Sequence, residues 1–333
     1  MDQALILMAV ICIPPILGTF LVASILGRGE WNGTRWRSVL TLQPKLGLVH
    51  QGLLWISVAI PVCYFLALGL FAWIGHSIDL SADGFKKFIE ISVLPLALLS
   101  ISLPLAGLVS RLHATQQTAL QIEVVSRKND FDAFYSHRKE FFSYFAQIGS
   151  LNYLSCLDAE YKVHPSVHRI FFHGTPSGGA PTSKTGTFEL YSGKLTFVAM
   201  MLDGVIRGKN DDEAFNCYLQ ACNDILWIAG MLGVREVSEK MVESGATFSV
   251  NLTSGQMMVA TVGTSTVEIL ASYRYLRNYY NNICSFASIG KHKLDDAFHY
   301  LIRGGNSLLR GPDLVIERLH RTVIKDYMRK EDR

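Results

Sequence analysis

Three long stretches without a formal charge lie in the first 110 residues, and none of comparable length follows. They cover residues 4–26, 52–74 and 91–109 and contain no Lys, Arg, Asp or Glu. A helix rises about 1.5 Å per residue, so stretches of 19 to 23 residues match a hydrocarbon core about 30 Å thick. They predict a bilayer as the solvent of the N-terminal third. The rest of the 333 residues has the length of one water-soluble domain. A charged fraction of 18% and a mean hydropathy of +0.23 suit that division. The net charge of +3 is too small to argue for nucleic acid by itself.

The placement of charge is more telling. Arg28, Arg35, Arg37 and Lys45 stand against Glu30 between the first two stretches. Asp79, Asp83, Lys86, Lys87 and Glu90 lie between the second and third. Arg111, Arg127, Lys128, Arg138 and Lys139 follow the third. Basic residues mark the cytoplasmic side, so residues 28–45 and everything after Val109 are expected inside, and residues 75–90 outside. Alternation then puts the N-terminus outside if there are three spans. Pro14 and Pro15 interrupt the first stretch, and proline removes a helix donor. The alternative is a two-span hairpin, 52–109, behind a shallow N-terminal segment. Asp2 in place of a basic n-region argues against a cleaved signal peptide.

From Ser110 the chain turns amphipathic, with no Pro or Gly between Gly107 and Gly149. Phe131, Phe134, Tyr135, Arg138, Phe141, Phe142, Phe145 and Ile148 recur at steps of three and four, as on one helix face. A continuous or once-broken helix is expected here, coupling the membrane region to the cytoplasmic body. Asn129-Asp130 is the expected break, with Asp130 as a cap. The aromatic stripe reads as core packing or as a contact that transmits a signal.

These residues resemble a group of bacterial anti-phage membrane proteins, the transmembrane effectors encoded beside a retron reverse transcriptase. The likeness covers roughly residues 50–180 and rests on three motifs. His113, Gln116, Gln117, Thr118, Gln121 and Ile122 form the first, and Tyr135, His137, Arg138, Glu140 and Phe141 the second. Pro165, His168, Arg169 and Phe171 form the third. The resemblance implies an abortive-infection toxin. The reverse transcriptase and its msDNA, the branched RNA–DNA product, would hold it inactive, and its release would permeabilise the inner membrane. It also implies two spans, from which residues 4–26 are a departure.

Further along, His164 and His168 are spaced i, i+4, a metal-ligand spacing on a helix, with His173 nearby. Pro165 falls between them and no glutamate fills a general-base slot, so structural hydrogen bonding is the favoured reading. Residues 175–181 read as a loop without the glycine pattern of a phosphate-binding or nucleophile-elbow turn. Helical runs are expected at 195–206, 212–232 and 266–289, with Asn210, Asp211 or Asp212 as a cap, and a strand at 247–252. Cys217 and Cys222 match neither zinc nor redox spacing. Tyr273, Tyr275, Tyr279 and Tyr280 interleave with Arg274 and Arg277. That pattern suits either an amphipathic core helix or stacking with single-stranded nucleic acid. The last 30 residues carry Arg310, Arg318, Arg321, Lys325, Arg329, Lys330 and Arg333 among acids that include Asp313 and Asp332. They read as a solvated face able to touch an RNA–DNA partner.

The expected fold is a mainly α membrane protein with two or three transmembrane helices (1–112). An amphipathic coupling helix (113–150) and a helical cytoplasmic domain (151–333) follow. The expected function is that of a membrane effector, the alternative a non-toxic membrane-anchored sensor or interaction protein. Candidate coupling residues are His113, Gln117, Gln121, His137, Arg138, Phe141, His168 and Arg169. Pro61, Pro95 and Pro104 are candidate distortion points in the membrane, where freed carbonyls would face a partner or water. Expected partners are membrane lipid, the reverse transcriptase with its msDNA, and further copies of the chain on activation. No catalytic residue, cofactor or metal is assigned.

Overall fold

The structure is a computed structural model describing residues 3–31, 33–208, 210–252, 255–304 and 314–331. Asp2, Arg310, Asp313, Asp332 and Arg333 lie outside the described residues. The chain is mainly helical and divides into two compact units, Met1–Arg127 and Lys128–Arg333.

The first unit is built from apolar helices. α1 (Gln3–Leu26) runs unbroken through Pro14 and Pro15. Pro15 has no N–H to offer the Ile11 carbonyl four residues back, and the Tyr64 hydroxyl donates to that oxygen instead, at 2.8 Å. Gly18 permits the close crossing, since a Cβ there would lie 3.1 to 3.3 Å from Ile60. Arg35 closes the C-terminus of α1, donating to Ala23 O at 2.8 Å and Ser24 O at 2.9 Å while lying over Trp31. α2 (Gly33–Leu40) packs through Val39 against Gly52, the first residue of α3 (Gly52–Trp73). Gln51 ties the intervening turn, accepting from Gln43 N and donating to Gln43 O and Leu46 O.

After α3 comes α4 (Ala82–Ile91), capped by Ser81, whose Oγ accepts from Gly84 N. Its Phe85 and Ile89 are exposed, and Phe88 stacks on Trp73. The third apolar stretch is not one straight helix. It divides into α5 (Val93–Ser100) and the start of α6 (Ser102–Ala146), with Ile101 as the turn between them. Pro95 and Pro104 each sit in the first turn of the helix that follows a break, where the missing N–H is tolerated. Pro61 lies inside an unbroken α3. Among the described residues three helices, α1, α3 and α5–α6, are long and apolar enough to cross a membrane.

α6 takes the continuous form of the two expected, without the break at Asn129-Asp130. The aromatic run beyond that point packs as a continuation of the same helix, and Asp130 Oδ1 faces Gly179 instead of capping.

The second unit opens with the hairpin β1 (Ser150–Tyr153) and β2 (Leu157–Glu160), paired Ser150 to Glu160. α7 (Pro165–Phe171) leads into β3 (Phe172–His173), which pairs with β4 (Thr182–Ser183). α8 (Thr185–Arg207) and α9 (Asp211–Leu232) form the central helix pair. Asn210 caps α9 by accepting from Asp212 N, as expected. α9 ends on Gly233 at φ +67, where Val234 N bonds Ala229 O. A side chain at Gly233 would also strike His164, its Cβ lying 2.7 Å away. A short π-helical turn (Glu236–Lys240) and α10 (Met241–Glu243) precede the hairpin of β5 (Thr247–Leu252) and β6 (Gly255–Ala260). α11 (Thr266–Phe286) begins with a Ser265/Glu268 capping box. α12 (His299–Arg303), α13 (Val315–Arg321) and α14 (Val323–Glu331) complete the unit.

The core of this unit is aromatic. Tyr191, Tyr218, Tyr273, Tyr275, Tyr279, Phe141, Phe145 and Phe171 are fully buried. The tyrosines of α11 therefore point inward, out of reach of a nucleobase. Arg274 donates to Leu301 O and Gly304 O, and Arg277 to His292. The core-helix reading of that run is the correct one.

Candidate functional site

Two motifs separated by 31 residues meet in the second unit. The α6 part of the unit supplies Phe134, His137, Arg138 and Phe141, and α7 supplies His168 and Arg169. α7 is short and its geometry is set at its first residues. Pro165 occupies the first helical turn, and the His164 ring accepts from Ser166 N as the N-cap. His164 is thus outside the helix and exposed while His168 is buried, so the i, i+4 pair does not share a helix face.

His168 Nε2 lies 3.0 Å from His137 Nδ1. A hydrogen bond there needs one donor and one acceptor, so at most one of the two rings is protonated. Aromatic rings enclose the pair. Phe172 and Phe286 stand 4.8 and 5.1 Å from His137, and Phe141 stands 5.6 Å from His168, all edge to face. Burial, helped by the neighbouring His137 and the Arg138 charge, pushes His168 down to about 4. The imidazole is therefore neutral at pH 7 and serves as a directional hydrogen-bonding group.

Beside it is a cavity of about 370 Å³ lined by Phe134, Arg138, Ser166, His168, Arg169 and Phe172. Arg138 is half-buried, its guanidinium lying 5.8 Å from the Phe142 ring centre, and Arg169 is exposed. Among the described residues neither guanidinium has a carboxylate or hydrogen-bond partner. The site presents two fixed positive charges and a neutral histidine pair on an aromatic floor.

The structure thus gathers His137, Arg138, Phe141, His168 and Arg169 and leaves the other candidates in the first unit. His113 is 3% exposed, and among the described residues neither of its ring nitrogens has a partner. Gln117 Nε2 donates to Pro44 O at 3.3 Å, and Gln121 lines a separate cavity of about 400 Å³ with Pro44. Pro61 lies in α3, Pro95 in α5 and Pro104 in α6.

Sequence reasoning missed Phe172 and Phe286 as walls of the site. Phe172 adjoins the third motif, whereas Phe286 comes from the far end of α11 and carries no local signal. It also missed the Lys194–Asp224 ion pair at 2.6 Å, with Asp224 buried, and the buried His292, which bonds Thr196 and Arg277. No model of a known protein family, no curated protein and no solved structure matches this chain.

Proposed function

We propose that this chain is a membrane effector of a bacterial retron anti-phage system. Its three apolar helices span the inner membrane, with the N-terminus outside and the second unit in the cytoplasm. Reverse transcriptase and msDNA hold it inactive, and on release its helices associate with those of other copies and permeabilise the bilayer.

The observation that carries the membrane reading is the inverted polarity of the first unit. Ile25, Leu70 and Leu103 are 77%, 65% and 78% exposed, whereas Gln51, Ser92 and His113 are buried. Lipid favours that arrangement and water opposes it. The placement of α4 agrees. It joins two apolar helices, carries exposed Phe85 and Ile89, and bears Lys86 and Lys87, the composition of a helix lying at a membrane surface. Positive charge in residues 28–45 and after Val109 supports the orientation. The three shared motifs support the retron assignment, and two of them meet at the His137–His168 contact.

The test is expression of the full chain alone in bacteria, following membrane potential and dye uptake. Collapse of the potential, prevented by co-expression of the partner reverse transcriptase and its RNA, is the expected result. An intact potential with the protein correctly inserted would overturn the toxin reading and leave a membrane-anchored sensor.

A further inference from the structure

We propose that the cavity between α7 and the facing turns of α6 binds a nucleotide, with Arg138 and Arg169 on its phosphate and Phe134 and Phe172 beside its base. The inference stands apart from the membrane reading and holds for an effector or a sensor alike.

Charge is the first argument. An arginine held half-buried without a counter-ion is costly, and its planar fork of donors matches a phosphate oxygen pair. Here the half-buried Arg138 and the exposed Arg169 line one cavity, and among the described residues none of the ion pairs involves either. Asp130 is the acid on the same face of α6, two turns before Arg138. At about 1.5 Å per residue it is roughly 12 Å along the axis and does not neutralise Arg138. It lies under the loop at Gly179. Lys184 adds a further positive charge near α7, donating to Arg169 O at 2.7 Å.

Shape and hydrogen bonding give the second argument. A volume of about 370 Å³ is in the range that small-molecule ligands occupy. The half-buried ring of Phe134 suits a planar base, since aromatic stacking tolerates any base, and the buried Phe172 forms the floor beneath it. His168 has Nε2 taken by His137, so Nδ1 is the nitrogen left to meet a ligand. With His137 as donor to Nε2, His168 carries its proton on Nδ1 and offers it to a phosphate or ribose oxygen. Gly174 keeps the rim thin beside Phe134, where a Cβ would lie 3.2 Å from Pro181 Cα and 3.8 Å from the Phe134 ring.

The experiment uses the full-length protein in detergent or nanodiscs and titrates it calorimetrically with the four common nucleoside 5′-monophosphates. The controls are adenosine, inorganic phosphate and glycerol 3-phosphate, the last standing for a lipid headgroup. At least one monophosphate is expected to bind at least about tenfold more tightly than any of the three fragments. R138Q and R169Q are each expected to weaken it at least about tenfold. Arg169 is exposed and makes no side-chain contact that the fold needs, so R169Q keeps the test valid if R138Q fails to fold. Unchanged affinity in R169Q, equal affinity for glycerol 3-phosphate, or no binding of any monophosphate at millimolar concentration would each overturn the assignment.

Discussion

The two units of this chain obey opposite rules about where polarity belongs. In Lys128–Arg333 most large aromatic and aliphatic side chains are inside, and charged groups such as Lys162 and Glu160 pair on the outside. In Met1–Arg127 large Leu, Ile and Phe side chains face outward, while Gln51, Ser57, Ser92 and His113 are buried. Those polar groups are mostly satisfied internally. Trp73 Nε1 donates to Ser92 Oγ at 2.9 Å, and Ser57 Oγ donates to Leu54 O at 2.6 Å. The difference is the one expected of a chain that meets two solvents, because internal pairing of polar groups is favoured where no water can supply partners, with His113 as the exception.

The largest effect is expected in the water-solvated core. Phe141→Ala removes a fully buried ring that touches Phe145, His168, Phe172 and Phe286. Its loss should cost about 3–5 kcal/mol, read as a lowered denaturation midpoint of the second unit. Phe131→Ala, on the same helix but 47% exposed, should change it by less than about 0.5 kcal/mol. Equal losses would mean that the stripe is not a buried core.

A charge on the outward face of the first unit should be nearly as disruptive. Leu66 lies in the middle third of α3 and is 51% exposed. Leu66→Arg places a charge in the hydrocarbon at about 2.5–3.5 kcal/mol, visible as reduced insertion in a membrane-integration assay. Full tolerance would break the comparison, since a water-facing position accepts arginine freely.

Acid should act on the second unit. Burial leads the causes that push both His168 and His292 down to about 4, from an ordinary value near 6.5. The unfolded chain then takes up protons that the folded chain refuses. The stability involved is present above about pH 6.5 and is lost as the pH falls toward 4. His168 alone accounts for roughly 2–3 kcal/mol over that window. The melting temperature of the full-length protein should fall from pH 7 to pH 4, with a shallower slope in His168→Asn. A flat profile would show that the buried histidines are protonated without penalty.

The smallest effect tests a single bond within the first unit. Tyr64→Phe leaves the Ile11 carbonyl without its donor. It should cost about 0.6 kcal/mol and at most about 1.7, the average and maximum for hydrogen bonds between membrane helices. No change in steric-trap or denaturant stability would imply that another donor reaches that oxygen.

Local pattern explains what the sequence revealed. The apolar stretches, α8, α9, α11, the Asn210 cap and β5 all follow from periodicity or capping within a few residues. The meeting of His137 and His168 was foreshadowed only in that both belong to quoted motifs, and nothing local says that their rings touch. What stayed hidden depended on distance or on competition between local signals. The β1–β2 turn places Leu154 and Ser155 at positive φ without glycine, and its local signal is Asn152, whose Oδ1 accepts from Ser155 N at 2.8 Å. Asp130 looked like a cap, yet the packing of Phe134, Phe141 and Phe145 beyond it favours uninterrupted helix. Phe286 reaches the candidate site only through the fold. Arg274 and Arg277 looked available to phosphates because the carbonyls and His292 that hold them come from later segments.

Lipid solvation of the first unit is tested most directly by fractionating a detergent-free lysate of cells expressing the full chain at high speed, then washing the pellet with alkaline carbonate. The protein should stay in the membrane pellet through the wash and enter solution only with detergent. Full-length, folded protein in the supernatant would mean that water tolerates those outward apolar faces, and the division into two solvents would not stand.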